Sequence, residues 1–565
     1  MKKTIFWCFA AIIIACQPAQ KSATPSIQAA VVSARKEASE AGKDILAQGG
    51  NAFDAAVATS FALTVVYPQA GNITGGGFMV YRMADGRVGS LDYRETAPAR
   101  ANRDMYLDEE GNAQSQLSRV GGLAVGVPGA VAGIKAMHEK WGSLPWETLV
   151  QPAIDLAQNG YIVTAKEAKN LNKNREIFTQ VNGQGHFYDS VFEEGDTITN
   201  PALARTLTTI AKEGDDGFYT GWVAKAMVEH TNAHGGILSE EDLQNYTAVW
   251  RDPIVFTYKD LKVFSMPPPS SGGICLGQML KMIEPYNIGE MGHHTPESIH
   301  LMIEAERRSY ADRSHFLGDP DFVAVPQDAL LANDYLAQRM NDFNPQKSTS
   351  SEAVKYGEIV WQESDETTHF SIVDAQGNAV AITTTLNGSY GSKLFVPAIG
   401  VFMNNEMDDF SSKPGVPNMF GLTGSEANSI APNKRMLSSM TPSIIEKNGE
   451  LSMVVGTPGG STIITSVFQT ILNVYEHNMD MQAAVNAPRF HHQWKPDIVV
   501  FEPKEFDTTL LNKLRQKGHT FNEKQTRIIG KVDAIFRHPR GHLSTGADPR
   551  GDDTAATLHF KNSDQ

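Results

Sequence analysis

Glu366, Thr367 and Thr368 stand where an acidic run, Glu363 to Glu366, meets a pair of hydroxyls and a strand-like stretch begins. Phe370 and Ile372 alternate with Ser371 and Val373. The segment Asp374 to Asn378 offers Gly377 for a positive-φ turn, and a second β-rich run follows from Ala379 to Leu386. By spacing alone this is a β-hairpin entered from a solvated surface loop. The residue types allow sharper chemistry. Cleavage of the Glu366–Thr367 bond would make Thr367 an N-terminal residue carrying a hydroxyl nucleophile and a free α-amine together. Such an amine titrates at about 7.7–8, so near neutral pH a useful fraction is unprotonated and accepts the hydroxyl proton. A threonine activated by its own amine needs no histidine or aspartate partner.

Other residue groups gain meaning mainly in combination. Two glycines after Pro458, Gly459 and Gly460, can aim backbone N–H groups into a concavity, as an oxyanion hole requires. Arg94 ends a strand pattern before a loop, where a surface salt bridge is the plain reading. Thr383, Thr384 and Thr385 are simply β-favourable. Glu406 and Asp409, in NNEMDDF (404–410), read alone as a solvated acidic loop. Gly75-Gly76-Gly77 is no phosphate loop, because a strand from Phe78 to Arg82 follows and no Lys-Ser/Thr does; these glycines suit close backbone packing. His293-His294 and His491-His492 are adjacent pairs whose side chains diverge on a strand, and no Cys/His cluster has zinc-ligand spacing.

The elements that must position these residues are partly legible. Ala29 to Gln48 reads as a helix stopped by Gly49-Gly50, and Asn51 caps a second helix, Ala52 to Val66, apolar all round and therefore buried. Residues 140–260 read mostly as amphipathic helices with short polar loops. MPPPSSGG (266–273) is a rigid turn into a helix from Ile274, and 304–322 is helical until Gly318-Asp319-Pro320. The polar stretch 344–366 forms a flexible approach to the proposed cut.

The chain has 565 residues and a net charge of −15, which argues against nucleic acid as the main partner. After residue 28 there is no long linker, repeat or low-complexity block, so one large compact unit is expected. Residues 1–15, with Lys2 and Lys3 before an apolar run, fit a secretory signal peptide. Ile13-Ile14-Ala15-Cys16 resembles a lipobox, with Cys16 lipidated and 16–28 a polar tether; the alternative is a plain signal cut after Ala19 or Ala23. Of the three cysteines, Cys8, Cys16 and Cys275, only Cys275 lies in the body, so no disulfide framework is available.

The stretch ETTHFSIVDAQGNAVAITTTLN (366–387) resembles the processing site and small-subunit start of the γ-glutamyltranspeptidases, members of the N-terminal-nucleophile hydrolases. GGNAFDAAVA (49–58), GNITGGGFMVYR (71–82), LDYRETAP (91–98), GGLAVGVPGAVAG (121–133), RMLSSMTPS (435–443), GTPGGSTI (456–463) and NAPRFHHQW (486–494) extend the likeness from about Ala29 to Phe560. The resemblance implies an α+β fold, a four-layer αββα sandwich, cut into a large chain (29–366) and a small one (367–565) that form a heterodimer. It implies that Thr367 first cleaves its own precursor, then forms a γ-glutamyl ester from glutathione or related compounds. That ester passes to water or to an amino acid or dipeptide amine, without metal or organic cofactor. Thr385 assists the nucleophile, Gly459 and Gly460 form the oxyanion hole, and Arg94 with Ser438 and Ser439 holds the α-carboxylate. Asn387, Glu406 and Asp409 hold the α-ammonium. SSKPGVPNMFGLTG (411–424) resembles a lid in which Phe420 stands where some relatives have a hydrogen-bonding tyrosine; Glu406 stands for the glutamine of some relatives and Met436 for a common proline. Two other readings share the sequence: a glutaryl acylase acting on β-lactam side chains with the same nucleophile, and a secreted binding protein that never matures.

Overall fold

The computed structural model describes residues 26–355, 368–413, 426–521 and 527–559. The signal segment, Cys16, Glu366, Thr367 and Phe420 lie outside these ranges.

Two antiparallel sheets form the centre, one of seven strands and one of six. Their strands, in chain order, are β1 (Ile27–Ser33), β2 (Gly76–Arg82), β3 (Val88–Tyr93), β4 (Val249–Arg251), β5 (Ile254–Tyr258), β6 (Leu261–Ser265), β7 (Thr368–Val373), β8 (Ala379–Thr385), β9 (Ser443–Lys447), β10 (Glu450–Gly456), β11 (Asp533–Arg537), β12 (Leu543–Gly546) and β13 (Thr554–His559). The first sheet runs β13-β1-β7-β8-β2-β3-β4 and the second β12-β11-β10-β9-β6-β5. Helices α1 (Lys36–Ala47), α2 (Ala52–Val66) and α3 (Ala130–Trp141) pack on the first sheet. Helices α4 (Gly272–Ile283), α5 (Pro296–Phe316) and α6 (Thr462–Tyr475) pack on the second.

Side-chain alternation along the strands produces the layers. Val31, Met79, Phe370, Ile372, Val380 and Ile382 point into the helix-side core of the first sheet. Ala30, Val32, Phe78, Val80, Val373, Ala379 and Ala381 point the other way, meeting Phe264, Ile444, Val454 and Ile535 from the second sheet. The outer face of the second sheet, with Val263, Ile445, Met453 and Val455, packs on α4, α5 and α6. Three apolar interfaces thus separate four layers, helix–sheet–sheet–helix.

Two sequence expectations are corrected. Ala29 to Gln48 is not one helix: residues 27–33 form β1, and α1 begins only at Lys36. β1 is paired on both edges, with β13 and β7, and buried on both faces. A strand so enclosed shows no polar alternation, and its alanines read as helix. Within 140–260, Val249–Arg251 and Ile254–Tyr258 are strands; Ile254, Phe256 and Tyr258 are buried while Val255 and Thr257 are exposed, a period of two in a region read as helical. Asn51 caps α2 as expected, accepting from the Phe53 and Asp54 N–H groups.

Candidate active site

β7 starts at Thr368, the residue bonded to Thr367, and pairs with β8 so that Thr368 faces Thr384 and His369 faces Thr383. His369 points between the sheets. Its Nδ1 lies 2.9 Å from Thr383 Oγ1 and its Nε2 3.0 Å from Ser371 Oγ. Complete burial lowers this imidazole to about 3, so it is neutral. A Cβ on Gly456, the last residue of β10, would lie 2.3 Å from the His369 ring. The head of β7 and the exit of β10 therefore touch across the gap between sheets, and Pro458-Gly459-Gly460 follows that exit. Gly459 and Gly460 have φ of 133° and 55°, backbone that glycine tolerates. Their carbonyls accept from the Thr462 and Ile463 N–H groups as α6 begins.

Thr385 ends β8 on the same face as Thr383, and its Oγ1 accepts from the Asn387 N–H at 2.7 Å. Asn387 Nδ2 donates to the Asn405 carbonyl at 3.0 Å. Asn404 Oδ1 accepts from the Gly126 N–H at 2.8 Å and the Glu406 N–H at 3.0 Å, tying the Gly126–Gly129 segment to the acidic turn. The triple glycine does serve close packing: a Cβ on Gly75 would stand 1.8 Å from the Thr385 carbonyl oxygen, and one on Gly77 2.5 Å from that of Thr383.

Glu406 and Asp409 belong to a short 3₁₀ turn, and both are buried, where sequence reading placed them in solvent. The reason is Arg94. Its guanidinium, 1% exposed, bonds to Glu406 Oε1 and Asp409 Oδ2, and donates to the Met436 carbonyl at 3.2 Å and the Leu437 carbonyl at 3.0 Å. Ser438 and Ser439 follow those carbonyls directly. Ser439 Oγ lies 3.4 Å from Arg313 Nη2 of α5, whose Nε donates to Ser271 Oγ at 2.9 Å.

A further carboxyl, Glu95, is fully buried with Oε2 3.7 Å from Arg94 Nη1. Burial pushes it up to about 7 against the pull of Arg94. Burial likewise holds Glu406 and Asp409 well above the usual carboxylate range, partly offset by Arg94. Burial alone would lower Arg94, but Glu406, Asp409 and Glu95 outweigh it and raise its affinity for the proton. No N–H or alcohol hydroxyl among the described residues donates to Glu406 Oε2 or Asp409 Oδ1. One guanidinium thus faces three carboxyls, each of which retains at least one oxygen that receives no such hydrogen bond. That arrangement suits a ligand carrying a carboxylate for Arg94 and a cationic donor for the acids.

The structure therefore brings Arg94, Glu406 and Asp409 into direct contact, sets Ser438 and Ser439 beside them, and links Asn387 through Asn405. Thr385 ends β8 next to Thr384, which pairs with the first residue of β7, and Gly459 and Gly460 follow Gly456, which touches His369, by three and four residues. Sequence reading missed Glu95, Arg313, Asn404 and His369. Glu95 stands next to Arg94 in LDYRETAP, and that adjacency was the one signal available.

The γ-glutamyltranspeptidase family model matches residues 38–558. The glutathione hydrolase proenzyme of Escherichia coli (strain K12) is 43% identical over 530 residues, covering 93% of this chain and 91% of that protein. A γ-glutamyltranspeptidase structure from Helicobacter pylori superposes with a TM-score of 0.56 at 42% identity, covering 60% of this chain and 97% of the other. A cephalosporin acylase from Bacillus halodurans shares the fold, with a TM-score of 0.84 over 98% of this chain and 100% of the other at 24% identity. With its four-layer architecture and its match over nearly the whole length, the chain belongs to the γ-glutamyltranspeptidase family, within the N-terminal-nucleophile hydrolase fold.

Proposed function

We propose that this protein is a self-processing γ-glutamyl hydrolase and transferase whose nucleophile is Thr367. In the precursor the Thr367 hydroxyl attacks the Glu366 carbonyl, the acyl group shifts from nitrogen to oxygen, and water splits the resulting ester. The liberated α-amine then takes the proton of its own hydroxyl as that oxygen attacks the γ-carbonyl of glutathione or a related compound. Gly459 and Gly460 N–H groups receive the developing oxyanion, and Thr385 supports the nucleophile. The amine product leaves with the proton, and the γ-glutamyl ester passes to water or to an amino acid or dipeptide amine. Residues 1–15 act as an export signal, and Cys16 carries a lipid that tethers the protein in the periplasm.

The observation that carries this reading is the buried Arg94–Glu406–Asp409–Glu95 array. Arg94 with Ser438 and Ser439 takes the α-carboxylate, and the open oxygens of Glu406 and Asp409 take the α-ammonium, with Asn387 at their side. A glutaryl group has no ammonium to offer and would leave those acids unmatched, which disfavours the acylase reading. Turnover of a γ-glutamyl anilide should exceed that of the corresponding glutaryl anilide by about 10³-fold in kcat/KM, because a site built around a polar group rejects the analogue lacking it. Equal turnover of the two would transfer the assignment to the acylases.

Glu95 adds a pH dependence. A carboxyl raised to about 7 is charged above that pH and neutral below it, so its attraction for the ammonium is lost on acidification. The acid side of the kcat/KM profile, which reports the free enzyme, should therefore carry two groups, the Thr367 amine and Glu95. Glu95→Gln should remove one of them and make the fall shallower. A profile indifferent to that change would separate Glu95 from ammonium recognition.

A further inference from the structure

Helix α5 packs its apolar residues on the second sheet, and two of its polar side chains reach residues proposed to act on the substrate. Tyr310 and Arg313 are three residues apart, so they share one face of the helix, and each is 1% exposed. The Tyr310 hydroxyl donates to the carbonyl of Ser461, which directly follows Gly460. Arg313 Nε donates to Ser271 Oγ at 2.9 Å, and that hydroxyl donates in turn to the Ser438 carbonyl at 2.8 Å. Arg313 Nη2 also donates to Ser439 Oγ, at 3.4 Å. One helical turn of α5 thus touches both the end of the oxyanion loop and the serine pair.

Both targets are turns that need support. Within the glycine turn, Thr462 Oγ1 donates to the Gly459 carbonyl and Thr457 Oγ1 to the Pro458 carbonyl, each at 2.7 Å. These bonds are local. Tyr310 ties the turn to a helix of 21 residues seated in the apolar core, where its ring stands edge-on to His491 at 5.6 Å. The serine turn is held from the Pro269–Ser271 segment: the Ser438 N–H donates to the Pro269 carbonyl at 2.8 Å, the Ser271 N–H to the Ser438 carbonyl at 2.7 Å, and Ser270 Oγ to the Met440 carbonyl at 2.7 Å. Arg313 fixes the Ser271 end of that segment. A hydroxyl that accepts from a guanidinium turns its own proton to the other side, where it donates to an acceptor such as a carboxylate.

We propose that α5 is the positioning element of the site: Tyr310 fixes the turn that presents the oxyanion N–H groups, and Arg313 holds the Ser438–Ser439 turn against which the substrate carboxylate is placed. The inference rests on reading Gly459 and Gly460 as oxyanion donors and the two serines as carboxylate donors. Neither side chain touches the substrate or moves a proton, and the two act on different quantities. The oxyanion exists only at the transition state and the tetrahedral intermediate, so loosening its donors lowers kcat and leaves KM. The carboxylate is bound alike before and during reaction, so loosening its holders raises KM and leaves kcat. Because α5 precedes residue 366 and its targets follow residue 367, both contacts would also join the two fragments of the processed protein.

The test uses the processed enzyme and two donors, a γ-glutamyl anilide and the 4-aminobutyryl anilide, which differs from it only by loss of the α-carboxylate. Tyr310→Phe should lower kcat about tenfold for both donors and keep KM within about twofold, the effect of one hydrogen bond. Arg313→Met should raise KM for the γ-glutamyl anilide about tenfold, keep its kcat within about twofold, and cut the preference for it over the 4-aminobutyryl anilide by a similar factor. Arg313→Lys should restore part of that preference. If Arg313→Met does not process, Ser271→Ala, which breaks the link to Ser438, should shift the preference in the same direction by less. Variants in which kcat and KM move together, or in which neither moves, would overturn the positioning role and leave the γ-glutamyl reading intact. An unsplit Tyr310→Phe chain would overturn the assignment of that phenol to the oxyanion step. A wild type with no preference for the donor that carries the carboxylate would overturn the γ-glutamyl reading itself.

Discussion

Replacing Thr367 with alanine should yield a single unsplit chain and remove γ-glutamyl turnover, with a loss on the order of 10⁶-fold, as for other enzymes stripped of their nucleophile. Intact-mass measurement reads the first outcome and anilide hydrolysis the second. Both follow from one oxygen serving two reactions. Alanine at 367 has nothing with which to attack the Glu366 carbonyl, so no new terminus arises and no α-amine is freed to act as base. Thr367→Ser keeps the oxygen and should still process. A two-chain Thr367→Ala protein would mean that some other group makes the cut, and an active one would mean that some other residue carries the acyl group. The fold should survive the change, because the packing of β7 depends on Phe370, Ile372 and Val373, which lie within the apolar cores.

The second large effect is expected at Asp409. Asp409→Asn keeps the shape of the side chain and removes the charge of a buried carboxylate that is 5% exposed. Breaking one partner of a buried charge pair typically costs about 2–5 kcal/mol, so kcat/KM for a γ-glutamyl anilide should fall by about 10³-fold. Turnover of a glutaryl anilide, which presents no ammonium, should change far less. That contrast is the informative part. An equal fall for both anilides would show that Asp409 acts by holding Arg94 in place and has no direct part in recognising the amine. Arg94 supplies the background for this comparison, since it is bonded to Asp409 Oδ2 and leaves Oδ1 open.

Much of the hairpin that follows Thr367 in the chain could be read from the sequence. The hairpin formed by β7 and β8 showed its alternation and its turn, where Gly377 has φ of 94°. The cap at Asn51 was visible because a side-chain acceptor before an apolar run has few other uses. What could not be read was burial that depends on distant partners. Glu406, Asp409 and Glu95 are charged letters, and charge in sequence signals solvent; only the arrival of Arg94 from β3 makes their burial tolerable. Arg313 was hidden in the same way, as one basic residue among several on a long helix. β1 failed for the opposite reason, since a strand enclosed on every side offers no contrast from which a period can be taken.

The order of strands in the first sheet has a consequence beyond catalysis. β1 lies between β13 and β7, and β7 and β8 lie between β1 and β2, so a break between residues 366 and 367 divides a sheet whose ladders pass repeatedly from one fragment to the other. Separating the fragments would require tearing three ladders of this sheet and one of the second, β9 with β6, from a solvent-excluded centre, so such a nick would be silent mechanically. It would be irreversible in another sense. The uncut polypeptide folds as one molecule, at a rate independent of its concentration, whereas two unfolded fragments must first find each other, and the interleaved sheet gives neither of them a complete edge on which to begin.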